Sequence, residues 1–150
     1  MARIYTVDER FDEFENWDVY EQKYNSNGDW NLEADFLNIR IIKPAQGELV
    51  YSLIVYKEGS DVWLYTATPL QIKANDEIQE FEFLNERSNV LAATNVQKWG
   101  YYLADRASIE KILAANRVVA KVYTTEGFYT VEYHEDLLNR IREFMAKYAD

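Results

Sequence analysis

Over the first two thirds of the chain, apolar residues recur mostly at every second position; over the last third they switch to helical spacing. The N-terminal part is the least regular. Phe11, Phe14, Trp17 and Tyr20 come every three residues, a spacing that drifts around an α-helix without making a stripe. The pattern predicts a short acidic helix over 8–15 followed by a strand from Trp17 to Tyr24. Asn25-Ser26-Asn27-Gly28 carries the Asn-Gly pair that a tight hairpin turn demands, because both central residues need positive φ. The returning strand shows Trp30, Leu32, Ala34 and Phe36 on one face, then Leu37, Ile39 and Ile41 on the other. That change of phase predicts a β-bulge or a strand passing between sheets at Phe36-Leu37. Lys43-Pro44 ends it, since proline cannot donate into a ladder.

A second hairpin is expected from Glu48 to Thr68, turning at Glu58-Gly59-Ser60-Asp61. It would set Tyr56 opposite Trp63 and Ile54 opposite Tyr65, with both faces apolar and therefore covered. Leu70 and Ile72 begin a short strand with a turn at Asn75-Asp76. From Ile78 to Leu84, Phe81 and Phe83 point inward while Glu80 and Glu82 point outward. Residues 85–96 read as a loop with room for one helical turn, and Gln97 to Leu103 as a further strand.

The C-terminal third is clearer. Asp105 is placed to cap a helix running to about Ala115, with Ile109, Ile112 and Leu113 as its apolar stripe and Asn116 as its stop. Arg117–Thr125 and Phe128–Tyr133 form a hairpin around Glu126-Gly127. Glu135 and Asp136 open a last helix carrying Leu137, Leu138, Ile141, Phe144, Met145 and Tyr148. The fold class is thus α+β. An antiparallel, β-rich body with a sandwich- or half-barrel-like sheet has two amphipathic helices of the C-terminal third packed on it. No repeat, linker or break in composition divides the 150 residues, so 1–150 is expected to be a single domain.

Composition narrows the chemistry. The chain has no cysteine and one histidine, which excludes disulfides, thiolate metal sites, thiol nucleophiles and any site needing two imidazoles. His134 precedes Glu135-Asp136 at a strand-to-helix junction, a position where a histidine is ordinarily structural or exposed. No Gly-x-Ser-x-Gly elbow and no glycine-rich phosphate loop occurs; the five glycines are isolated. Asp8 to Glu13 offers oxygen ligands without the glycine that turns a calcium loop, so no metal and no cofactor are expected. The chain is therefore expected to be non-enzymatic, with no catalytic residues. A carboxylate-based hydrolase, using a glycosidase-type pair of acids, is the remaining enzymatic alternative. Met1–Val7 is followed by Asp8-Glu9 and not by an apolar stretch, and no run approaches the ~20 residues of a membrane helix. A cytoplasmic protein with no membrane partner is the default expectation; loss of a signal peptide from the chain would make it secreted or periplasmic.

The charge, −10 overall, is concentrated. Asp8 to Asp35 holds ten acids and two bases, and Asp76 to Glu86 five acids and no base. Solvated faces are the plain explanation. The more specific one is a negative field that draws in a basic protein, such as a nuclease or another nucleic-acid-binding protein. Direct contact with nucleic acid is disfavoured, because the lysines and arginines are scattered. The expected partner surface is Asp8, Glu9, Asp12, Glu13, Glu15, Asp18, Tyr20, Glu21 and Tyr24, where tyrosines interleave with acids. The expected function is that of an acidic binding or inhibitory protein, of the immunity-protein or polyanion-mimic kind. The alternative is a small-ligand or carbohydrate-binding β-domain using an aromatic face of Tyr56, Trp63 and Tyr65.

Overall fold

The computed structural model describes residues 3–26, 34–59, 65–92 and 95–149. Nine strands form one antiparallel sheet in the order β1-β2-β3-β4-β7-β6-β5-β8-β9. The strands are β1 (Arg3–Asp12), β2 (Trp17–Ser26), β3 (Ala34–Pro44), β4 (Val50–Gly59), β5 (Leu70–Ala74), β6 (Glu77–Ala92), β7 (Asn95–Ala104), β8 (Val118–Thr124) and β9 (Gly127–Glu132). Helix α1 (Arg106–Ala114) sits between β7 and β8, and α2 (Glu135–Tyr148) closes the chain. The class is α+β and mostly β. Among the described residues, no helix is long and apolar enough to cross a membrane.

The short helix expected over 8–15 is absent; those residues are the end of β1 and a turn. Asp12 Oδ1 accepts from the backbone N–H of Phe14 (3.0 Å) and Glu15 (3.2 Å), and Asn16 closes the turn at φ 58°. An aspartate capping a turn that ends in a left-handed residue gives the backbone no helix to extend. The Asn27-Gly28 turn lies outside the described residues. No bulge occurs at Phe36-Leu37, because β3 pairs with β4 in unbroken register from Ala34↔Glu58 to Ile42↔Val50. Phe36, Leu37 and Ile39 are instead buried together, since this strand is covered on both faces.

The expected hairpin from Glu48 to Thr68 does not form either. β4 is flanked by β3 on one side and β7 on the other, so both its edges are taken; the expected turn at Gly59-Ser60 and residues 60–64 lie outside the described residues. Tyr65 instead makes an isolated bridge with Thr124. The expected covering of this region on both faces does hold, with Tyr51 through Tyr56 all buried. Residues 85–92, expected as part of a loop, continue β6, a 16-residue strand shared by two parts of the sheet. Its first residues pair with β5 (Leu70↔Phe81), and the remainder pairs with β7.

The C-terminal elements follow their local signals. Asp105 Oδ1 accepts from Ser108 N at 2.7 Å, and this backbone hydrogen bond holds the capping carboxyl below its usual range. Asn75, at φ 55°, accepts from Asn116 N (3.0 Å) and ties the β5–β6 turn to the end of α1. On α2, Leu137, Leu138, Ile141, Phe144 and Met145 are buried, and the helix lies against β3. Tyr148 stacks on Tyr20 of β2, with ring centroids 4.8 Å apart.

Phe144 is 1% exposed within this core. Phe144→Ala is expected to destabilise the protein by about 3–5 kcal/mol, read as a lower urea midpoint at unchanged slope.

Candidate functional site

Alternation assigns each side chain of β1–β4, β7 and β6 to one of two faces. One face carries Leu37, Ile39, Leu53, Val55 and Tyr102, which belong to the core cluster shared with α1 and α2. The other carries Asp8 and Arg10 of β1, Glu21 of β2, Arg40 of β3, Ser52, Ile54 and Tyr56 of β4, and Trp99 and Tyr101 of β7. The register places Asp8, Glu21, Arg40 and Ser52 in one row across four adjacent strands.

This second face is concave. β2 and β7 are separated by two strands, which in a flat sheet sets them roughly 14 Å apart. Yet Tyr101 OH donates to Glu21 Oε2 at 2.9 Å. Arg87 on β6, about 19 Å away in a flat sheet, brings Nη2 within 3.8 Å of the same carboxylate oxygen. Six strands therefore curl into a half-barrel whose two sides meet through side chains. The interior is filled by rings: Phe36 on Tyr56 (centroids 5.7 Å apart) and Tyr56 against Trp99 (5.3 Å).

Arg87 points into this interior because of a bulge. Phe81 and Phe83 face the helices, and strict alternation would send residues 85 and 87 the same way. The register shifts between Phe83 and Asn85, so Asn85 lies opposite Tyr101 and Arg87 opposite Trp99. Glu86 then turns to the helix-covered side, where it accepts from Tyr65 N at 3.0 Å.

The result is a polar cleft of about 330 Å³ lined by Asp8, Arg10, Glu21, Lys23, Arg40, Asn85, Arg87 and Tyr101. Glu21, 3% exposed, stands at its centre. Arg10 Nη2 lies 3.5 Å from Glu21 Oε1, and Arg10 also pairs with Asp8. Burial lowers the Arg10 pKa, but the hydrogen bond to Asp8 and the Glu21 charge outweigh it and leave the guanidinium raised. Arg40 Nη2 donates to Ser52 Oγ at 3.2 Å, and its Cζ sits 4.5 Å from the Tyr101 ring centroid. Burial pulls the Arg40 guanidinium below its usual value, which the Glu21 charge only partly restores. Arg87 Cζ lies 4.1 Å over the Trp99 ring. Burial pushes the Tyr101 phenol up to about 12, with the Glu21 charge adding to it.

The residues expected to form one acidic partner surface are divided by the strand geometry. Asp8 and Glu21 line the cleft. Glu9, Asp18 and Tyr20 lie on the opposite face, where the Tyr148 hydroxyl donates to Glu9. Asp12 caps the β1–β2 turn, and Glu13 and Glu15 are exposed within it. Tyr24 is on β2 opposite Tyr5. The second acidic segment lies on the β5–β6 turn and along β6, where Glu77 pairs with Lys111 at 3.1 Å. Cations of the cleft thus stand between the two acidic segments. The aromatic alternative is also divided: Tyr56 faces the half-barrel interior, while Tyr65 packs on Gly100 from the helix-covered side. Both rings are buried, and Tyr65 OH donates to Val55 O (3.1 Å) and Lys98 O (3.3 Å). Trp63 lies outside the described residues.

Sequence reasoning passed over Arg10, Arg40, Arg87 and Tyr101. Their chemistry becomes visible only once strand order and the β6 bulge bring them together. The turn between β1 and β2 adds another feature: Phe14 is 93% exposed and Phe11 58%. No base occurs between Arg10 and Lys23 in the chain, so Phe14 is flanked in sequence by carboxylates, while Phe11 shares a row with Asp18 and Lys43. His134 is exposed and N-caps α2 without a side-chain hydrogen bond. Comparison of the chain with protein-family models, with curated proteins and with solved structures gave no match.

The raised Tyr101 phenol sets the sign of an alkaline dependence. Between pH 10 and about 12 the folded chain keeps a proton that the unfolded chain has released, so stability falls as pH rises through this window. Melting temperature is expected to drop between pH 10 and about 12, with a shallower slope in Tyr101→Phe. An equal slope in the variant would remove Tyr101 as the source.

Proposed function

We propose that the protein is a non-catalytic binding or inhibitory protein that docks on a basic protein through its β1–β2 hairpin. The observation that carries this reading is Phe14, 93% exposed at a structured turn and flanked by Asp12, Glu13 and Glu15. An aromatic ring held in water gains roughly 1.5–3 kcal/mol when a partner buries it. Around such an anchor, carboxylates favour a partner whose pocket is rimmed by arginine or lysine.

The hairpin is also held firmly enough to act as a docking element. Asn16 N donates to Asp12 O at 2.8 Å, and Asp12 fixes two further amides, so little order has to be gained on binding. Of the two kinds of acidic inhibitor, the geometry favours the immunity-protein kind. A polyanion mimic needs carboxylates spread over one surface, whereas here Arg10, Arg40 and Arg87 stand between the two acidic segments. The small-ligand alternative loses its aromatic face, because Tyr56 and Tyr65 are buried on opposite sides of the sheet.

The test separates charge from ring. Proteins retained by the immobilised chain from extract at low salt are identified and purified, and their binding rates measured directly. Glu13→Lys with Glu15→Lys is expected to slow association and flatten its salt dependence, while Phe14→Ser speeds dissociation. Melting temperatures should stay close to the parent value, since these side chains are exposed. A basic partner bound equally by the parent and both variants would sink the hairpin as the docking element.

A further inference from the structure

We propose that the cleft inside the half-barrel is a binding site for a small dianion bearing carboxylate or phosphate oxygens, held by Arg10, Arg40 and Arg87. This stands apart from the hairpin reading and does not depend on it. The first observation is local charge. Arg10, Lys23, Arg40 and Arg87 face Asp8 and Glu21, a local excess of two positive charges in a chain whose net charge is −10. A dianion restores neutrality beside the part-buried Arg40, with the half-exposed Arg10 and Arg87 at the rim of the cleft.

The second observation is unused hydrogen-bonding capacity. Each guanidinium has five N–H donors. Among the described residues, Arg40 Nε is buried with no acceptor, and Arg87 meets only Glu21 and the Trp99 ring. Glu21 engages Arg10 and Arg87 at 3.5 and 3.8 Å, at the long end for charge-assisted contacts. With Asp8 engaged by Arg10, Glu21 alone is left to serve Arg87 as well as Arg10, and Arg40 donates to Ser52 and to neither acid. The depressed pKa of the desolvated Arg40 agrees with a cation that lacks a full counter-charge.

The third observation is preorganisation. Arg40 lies over Tyr101 and Arg87 over Trp99, and these rings are buried, so both guanidinium planes are held before any ligand arrives. A volume of about 330 Å³ suits a compound of a few carbons. A latch that only joined β2 to β6 would need one carboxylate and one guanidinium. Glu21 acts here as the resident competitor, occupying the arginines until the ligand takes over their outward edges.

The experiment is calorimetric titration of the full chain with succinate and with inorganic phosphate in low-chloride buffer, with erythritol as the neutral control. Saturable one-site binding of one or both anions is expected, weakening as salt rises. The stronger of the two identifies the oxygen type the site prefers. Arg87→Gln and Arg40→Met are each expected to weaken binding about tenfold or more, or roughly 1.4 kcal/mol. Glu21→Gln is expected to tighten it, because a competing charge is removed; a structural latch would show no such gain. If Glu21→Gln fails to fold, Asp8→Asn makes the same comparison at a half-exposed position. Phe14→Ser should bind the anions as the parent does. Three outcomes overturn the proposal: no saturable anion binding, binding unchanged in both arginine variants, or erythritol binding as well as the anions.

Discussion

Strands β3, β4 and β7 are buried on both faces, and the rest of the structure follows from how each face is covered. A sheet buried on both sides normally has helices on both. Here two helices cover one face only, and there is no third among the described residues. The other face is covered by curling, so that β1 and β2 come round toward β6. Curling a six-stranded sheet leaves an interior about as wide as its own side chains. Phe36, Tyr56 and Trp99 fill its middle, and the polar residues stand where the two sides of the curl approach.

The bulge in β6 is the device that makes both faces usable by one strand. Its first half must send Phe81 and Phe83 to the helices; its second half must send Asn85 and Arg87 to the interior. An even period cannot do both. One extra residue at Leu84 exchanges the faces, and Leu84 itself is left partly exposed. The same strand passes from β5 to β7 between Phe81 and Glu82, so the change of partner comes just before the change of face.

Elements whose signals are local were legible in the sequence. The cap at Asp105, the stripe from Leu137 to Tyr148, the turn at Asn75 and the hairpin at Gly127 each depend on residues within a few positions. What could not be read depends on pairing across long separations. Val55 pairs with Gly100, a partner on a strand far along the chain that no local pattern announces. Nothing in 85–92 announces a strand, since Glu86, Ser88 and Asn89 have low strand preference and are carried by β7. The candidate site divides in the same way. Asp8 and Glu21 stood out by charge, whereas Arg10, Arg40 and Arg87 looked scattered because they come from three strands far apart in the chain.

A buried carboxylate with half-exposed cations around it needs a reason beyond stability. Taking Glu21 out of water is costly, and well-packed apolar side chains of the same volume are often as good or better for stability. This protein has the means for that choice: the neighbouring interior is Phe36, Ile54, Tyr56 and Trp99. Instead, a register shift turns Arg87 inward, Arg40 is desolvated against Tyr101, and one carboxylate is set among three guanidiniums. Hydrophobic closure would have sealed the half-barrel along this seam. Ionic closure seals it reversibly, because each contact to Glu21 can be exchanged for a contact to another anion at little net electrostatic cost. The negative net charge then has a second consequence. It repels free anions at long range, so that a ligand must offer charge and hydrogen-bonding geometry together to enter a cleft whose local sign is positive.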